Sequence, residues 1–192
     1  MRPVRTPWWF QYQFRFLAFC ALAAACQSQT GVGASAAEAQ PISPPPGKGN
    51  PAQNFANAYL VVQTKLALDD FPGGRTALAS VRSAAQVPAL ALAPELKKRI
   101  EAAAVDGSTA PDIAKLRVHF ASLSEALLGY FGSQPNPLTA PLVIAHCPMA
   151  LDGKGAKWLQ TGEGLRNPYY GAEMLTCGSV EGTIKPGKKL GG

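Results

Sequence analysis

Thr109-Ala110-Pro111-Asp112-Ile113-Ala114-Lys115-Leu116-Arg117-Val118-His119-Phe120-Ala121-Ser122-Leu123-Ser124-Glu125-Ala126-Leu127-Leu128-Gly129-Tyr130-Phe131 decides the fold class. Ile113, Leu116, Phe120, Leu123, Leu127 and Phe131 recur at alternating three- and four-residue steps, the period of a helix with one buried stripe more than four turns long. Thr109 followed by Asp112 resembles a capping box with aspartate in place of glutamate, and the spacing predicts a helix over 111–131.

Three further helices are predicted upstream. Phe55, Tyr59, Val62 and Leu66 share one face of a helix over 53–70, ended by Asp69-Asp70 and Pro72-Gly73-Gly74. Ala77, Leu78, Val81 and Ala85 mark a second over 74–86, closed by Pro88. Pro94, a favoured first-turn residue with Glu95 beside it, opens a third over 94–105 with Leu96, Ile100 and Ala103 on one side. The linkers are short, and short linkers make consecutive helices antiparallel neighbours. The expected fold is mainly α: an up-down, four-helix-like bundle.

Beyond Gly132 the pattern changes. Pro135, Pro137 and Pro141 forbid a long helix, and Leu142-Val143-Ile144-Ala145 reads as one short strand. Turn signals follow at 152–155 and at Asn167-Pro168-Tyr169-Tyr170-Gly171. An irregular loop-and-hairpin lobe over 141–181 is expected, within a domain spanning 52–182. Trp158, Tyr169 and Tyr170 are its packing residues. The Gly/Pro-rich end with Lys185, Lys188 and Lys189, residues 183–192, reads as a flexible tail.

The N-terminus reads as an export signal over 1–25. Arg2, Arg5 and Arg15 precede the ten-residue apolar run Phe16–Ala25, too short for the roughly 20 residues of a membrane span. Leu22-Ala23-Ala24-Ala25-Cys26 resembles a lipobox, with Ala23 where leucine is usual, and makes Cys26 the expected lipidation site. Ordinary cleavage at a small-x-small site is the alternative and would leave a soluble periplasmic protein. Residues 26–51, rich in Gln, Ser, Gly, Ala and Pro, read as a disordered tether. The expected location is the periplasm or cell envelope, with the membrane reached only through the lipid. The formal charge of +6 becomes +3 without the three leader arginines, and no basic stripe interleaves with aromatics, which argues against nucleic acid.

Chemistry concentrates in the lobe. His146-Cys147-Pro148-Met149 and Met174-Leu175-Thr176-Cys177 hold two of the four cysteines, two of the three methionines and one of the two histidines. Soft sulfur donors suit a soft ion such as Cu(I). In an extended segment Cys147 and Met149 project to one side, and on a helical turn Met174 and Cys177 share a face. The candidate ligands are Cys147, Met149, Met174 and Cys177, with His146 adjacent. His119 ranks lower and reads first as a partly exposed helix residue. The rival is a Cys147–Cys177 disulfide, natural in an oxidising compartment, which explains the cysteines but not the methionines or His146. Asp69-Asp70 reads as a solvated turn ahead of a cation site. Serine-hydrolase, zinc-protease, Cys-x-x-Cys and phosphate-loop motifs are missing from the sequence, so it reads as non-enzymatic.

These words in this order, together with Trp158-Leu159-Gln160, Asn167-Pro168-Tyr169-Tyr170-Gly171, Leu66-Ala67-Leu68-Asp69-Asp70 and Arg117-x-x-Phe120-x-x-Leu123-Ser124, resemble a known family. It is the bacterial domain of unknown function found beside, or fused to, periplasmic adaptor subunits of copper/silver efflux pumps. The resemblance covers about residues 53–181. It implies an exported helical bundle with a Cys/Met motif that serves copper handling, with Cu(I) as the ion and Ag(I) as its alternative. It also implies an efflux-pump adaptor or other copper-handling protein as partner. The adaptor's own barrel and hairpin domains are not in this sequence, so the resemblance implies a stand-alone binder.

Overall fold

The computed structural model describes residues 49–191. The expected signal, Cys26 and nearly all of the expected tether lie outside the described residues. Four helices come first: α1 (Pro51–Ala67), α2 (Phe71–Ala85), α3 (Pro94–Ser108) and α4 (Ile113–Ser133). Each packs against the next in sequence. A small antiparallel sheet follows, made of β1 (Leu142–Cys147), β2 (Ala156–Gln160) and β3 (Ser179–Ile184) in the order β2-β1-β3. The chain is mainly helical, as expected. No helix among the described residues is long and apolar enough to cross a membrane.

The helix boundaries move for identifiable reasons. Asp69 adopts a left-handed φ of 57°, so α1 stops before it rather than at 70. Asp70 caps the next helix, accepting from the Gly73 N–H at 2.8 Å, so α2 starts at Phe71 rather than 74. Thr109 ends α3, and its hydroxyl donates back to the Val105 and Asp106 carbonyls. The expected capping box therefore does not form. Asp112 itself caps α4, accepting from the Lys115 N–H at 2.8 Å. Helix α3 runs on to Ser108 through Gly107, where a Cβ would stand 2.6 Å from Leu78 Cδ1, so the glycine lets α2 and α3 approach closely.

The stripe on α4 is the core: Leu116, Phe120, Leu123, Leu127 and Phe131 are buried, with Ile113 at its rim. They meet Phe55, Tyr59, Val62 and Leu66 of α1, Leu78 and Val81 of α2, and Ile100 of α3. An aromatic chain runs from this core into the sheet. Tyr59 stacks on Phe120 (ring centroids 5.3 Å apart), Phe120 meets Tyr169 (5.8 Å), and Tyr169 meets Trp158 edge-on (6.0 Å). The Tyr59 hydroxyl lies 2.8 Å from Ser124 Oγ and accepts from the Leu159 N–H at 3.0 Å, which seals the β2 edge of the sheet against α1. Burial holds the Tyr59 hydroxyl far above its ordinary pKa, so it stays protonated.

The lobe is more regular than expected, with three strands where one was read. The last residues are also not a free tail. Thr183 and Ile184 belong to β3, Asn136 exchanges backbone hydrogen bonds with Gly187 and Lys188, and the Leu190 N–H donates to the Phe131 carbonyl.

The α1–α2 corner grips the loop between β2 and β3. Asp69 accepts from the Ala172 N–H at 2.9 Å and from the Arg117 guanidinium at 2.6 Å, and Arg117 Nε donates to the Pro168 carbonyl at 2.9 Å. Gln63 Nε2 donates to the Arg166 carbonyl. Asp69 and Asp70 are thus occupied in structural bonds, Asp70 also pairing with Lys65. The Ala172 N–H first, and then Arg117, hold the Asp69 carboxyl below its usual range. A depressed folded pKa stabilises above the unfolded value of about 3.9 and is lost as pH falls through the folded value. Asp69→Ala is expected to cost about 1 kcal/mol at pH 7, discounted for a half-exposed carboxylate. Urea midpoints at pH 7 and pH 3 check this: the gap to the parent narrows at the lower pH.

Candidate metal centre

Cys147 is the last residue of β1 and fully buried, and its partner Ala156 opens β2. Cys177 is half-buried and precedes β3. The two sulfurs stand 3.2 Å apart, and both cysteines are free thiols. The intervening chain, residues 148–176, is thus folded back on itself, as the turn signals allow. The thiol of Cys177 is raised above its ordinary pKa by the contact with Cys147, by burial and by repulsion from a Cys147 thiolate. A Cys177 thiol raised in this way is a poor nucleophile at neutral pH. The pair releases protons when an ion takes it.

The other candidate ligands are placed differently. His146 alternates with Cys147 along β1 and so faces away from the thiol. Its Nδ1 lies 3.2 Å from Glu181 Oε1, whose other oxygen takes Lys157 Nζ at 2.8 Å. Glu181 is the extra residue of a bulge in the β1–β3 ladder, which tilts its carboxylate toward His146. Met149 does not share a face with Cys147 as expected. The strand ends at Cys147, Met149 has helical angles (φ −87°, ψ −11°) in the turn that follows, and it is 55% exposed. Met174 ends a 3-10 turn (Gly171–Met174), half-exposed, and its carbonyl accepts from the Cys177 N–H at 3.0 Å. His119 is half-exposed on α4 and lines an open groove of about 910 Å³ with Val118, Leu151, Asp152, Tyr169 and Tyr170. Among the described residues, no three His, Cys, Asp or Glu side chains gather as an ion site. The candidate centre is therefore the thiol pair, with the thioethers of Met149 and Met174 on its two flanking turns.

Three residues that the sequence reading did not single out as functional hold the pair together. Asn167 is fully buried; its Nδ2 donates to the Cys177 carbonyl at 2.9 Å and its Oδ1 accepts from the Tyr169 N–H at 2.8 Å. The Tyr170 hydroxyl donates to the Met149 carbonyl at 2.8 Å. Gly178 has φ +132°, and a Cβ there would stand 2.6 Å from the His146 carbonyl oxygen and 3.2 Å from Trp158 Cη2. Only glycine lets the Cys177 segment cross β1 at this distance. Gly178→Ala is expected to cost about 1–3 kcal/mol through backbone strain. It should also part the thiols, read as a lower urea midpoint and faster alkylation of Cys147. The turn signal at 167–171 marked the neighbourhood of Asn167 and Tyr170, but the Cys177 and Met149 carbonyls they bind lie 10 and 21 residues away.

Compared with known proteins, the chain matches no family model, no curated protein and no solved structure.

Proposed function

We propose that the chain is a cell-envelope protein, exported and lipid-anchored at Cys26, that binds Cu(I), or Ag(I) in its place, through Cys147 and Cys177. In this reading it is not an enzyme. It serves copper handling or efflux by passing the ion to an adaptor or another copper-handling protein, and its helices form an up-down four-helix bundle. One observation carries the reading: two cysteines thirty residues apart meet at 3.2 Å, one fully buried, with methionines on both flanking turns. Two soft thiolate donors favour a soft, low-coordinate ion. With metal–sulfur bonds of about 2.3 Å, two sulfurs on one ion stand about 3.8 Å apart at the tetrahedral angle and about 4.6 Å apart in line. The pair must open by roughly 0.6–1.4 Å, and the half-exposed Cys177 side supplies the movement. The family resemblance and the leader support the compartment and the ion.

The 3.2 Å contact also favours a second reading, in which the lobe is pinned by a Cys147–Cys177 disulfide and the domain is a non-enzymatic interaction module. Titration of the reduced protein with Cu(I) under a competing chelator separates the two. One ion per chain, with both thiols protected from alkylation, supports the first. Unprotected thiols at saturating Cu(I) reject it.

A further inference from the structure

We infer that Tyr170 is a positioning residue for the thiol pair: its hydroxyl ties the turn after Cys147 to the loop that carries Cys177, and so keeps the reduced, ion-free thiols in contact. The inference deepens the metal-site reading and names what sets the readiness of that site.

The two cysteines sit at unequal anchorages. Cys147 ends the central strand and is fixed by ladder pairing. Cys177 ends an eighteen-residue connection, 161–178, which has no ladder of its own and is held by side chains. Between them the chain leaves β1 through a strained turn. Leu151 and Asp152 take left-handed angles, φ 54° and 59°, which a leucine rarely adopts. A turn of that kind relaxes unless its surroundings over-determine it. Among the described residues, one hydrogen bond joins the 148–155 turn to the 161–178 loop, from Tyr170 Oη to the Met149 carbonyl at 2.8 Å. It lies close in the chain to the sulfur–sulfur contact, two residues beyond Cys147 and seven before Cys177.

The donor is suited to this place. It meets the Met149 carbonyl, which also accepts from the Gly153 N–H at 3.2 Å, so it grips the strained turn at the atom that closes it. The bond forms only when the segments are closed. Its worth therefore appears as the fraction of reduced protein with the thiols in contact, and as the effective concentration of one thiol at the other.

That quantity can be read without metal. The half-exposed Cys177, as thiolate, attacks one sulfur of oxidised glutathione and releases one reduced glutathione. Buried Cys147, as thiolate, then attacks the Cys177 sulfur of the mixed disulfide. The Cys147–Cys177 bond forms and the second glutathione leaves, two electrons in all having passed from the protein to the oxidant. The full chain and its Tyr170→Phe variant are equilibrated in glutathione redox buffers, and the dithiol and disulfide fractions are counted by alkylation and mass. The expected result is an effective concentration about three- to tenfold lower in the variant, the range of one neutral hydrogen bond. Cu(I) affinity should fall by the same factor. An unchanged effective concentration, with equal losses of melting temperature in the dithiol and disulfide forms, overturns the inference and leaves Tyr170 a structural residue. Because the glutathione equilibrium involves no metal, failure of Cu(I) binding alone overturns the metal reading and not this one.

Discussion

Cys147→Ser with Cys177→Ser is expected to lower Cu(I) affinity by more than about a hundredfold, because a serine hydroxyl is a hard, protonated donor where the ion needs soft thiolates. The single variants should separate two effects. Cys147 is fully buried, so its serine also brings a hydroxyl without a partner into the core, at about 1–3 kcal/mol. Cys177 is half-buried, and its serine should leave stability nearly unchanged while removing the ion. A Cys147→Ala variant keeps the site apolar and serves as the control for packing. Competition titration of each variant, beside a urea denaturation curve, checks both effects. The disulfide reading makes a different demand on the same proteins. Closing a loop of thirty residues stabilises by about 3–4 kcal/mol. On that reading the parent melts much higher oxidised than reduced, and the double variant falls below the reduced parent only by the cost of the serine at Cys147. Retention of Cu(I) by the double variant would remove the thiol pair from the proposed function, whatever the oxidised protein does.

Local chemistry made the helices legible. Six apolar positions at helical spacing on α4 outweigh any alternative, and Pro94 acts in the first turn of the helix it opens. The missed boundary at Asp70 came from a residue able either to end one helix or to cap the next; the Gly73 N–H decides between them. The sheet was legible only at β1. β2 has four of its five residues buried and so shows no alternation, while β3 is polar, holds Gly182 and carries the bulge at Glu181. Neither resembles a half-buried strand, and both exist because β1 offers two free edges. The same limit explains the site. The turn signals at 152–155 and 167–171 allowed the fold-back by which Cys147 meets Cys177, but the spacing argument misplaced Met149, because residues two apart share a side only while the strand continues. The strand stops at Cys147, where Pro148 begins the turn. The roles of Asp69, Arg117, Asn167, Tyr170 and Gly178 depend on partners about 10 to 103 residues away in the chain, which no local pattern encodes.

Asn167→Ala is expected to give the largest loss of stability in the lobe, about 2–5 kcal/mol, since it strands two backbone groups at once. The side chain is fully buried and meets the Cys177 carbonyl with its amide nitrogen and the Tyr169 N–H with its amide oxygen. Alanine keeps the residue's own backbone bonds, from its N–H to the Leu175 carbonyl and from the Gly171 N–H to its carbonyl, so the loop does not simply unravel. What it loses is the cross-brace that sets the height of Cys177 above β1. Asn167→Asp tests the direction of that brace. The isostere keeps an acceptor for Tyr169 but turns a second oxygen toward the Cys177 carbonyl, and a buried carboxylate must either take a proton or repel its neighbour. It should therefore cost at least as much as alanine at pH 7 and recover partly as the pH falls below the carboxyl's raised pKa, whereas the alanine variant shows no such recovery. Urea midpoints across pH, with the rate of Cys147 alkylation in the folded state, read both effects together. Equal stability of the parent and both variants would mean that the loop carrying Cys177 is held by its other contacts, the Asp69–Arg117 clasp with Gln63 and Tyr170.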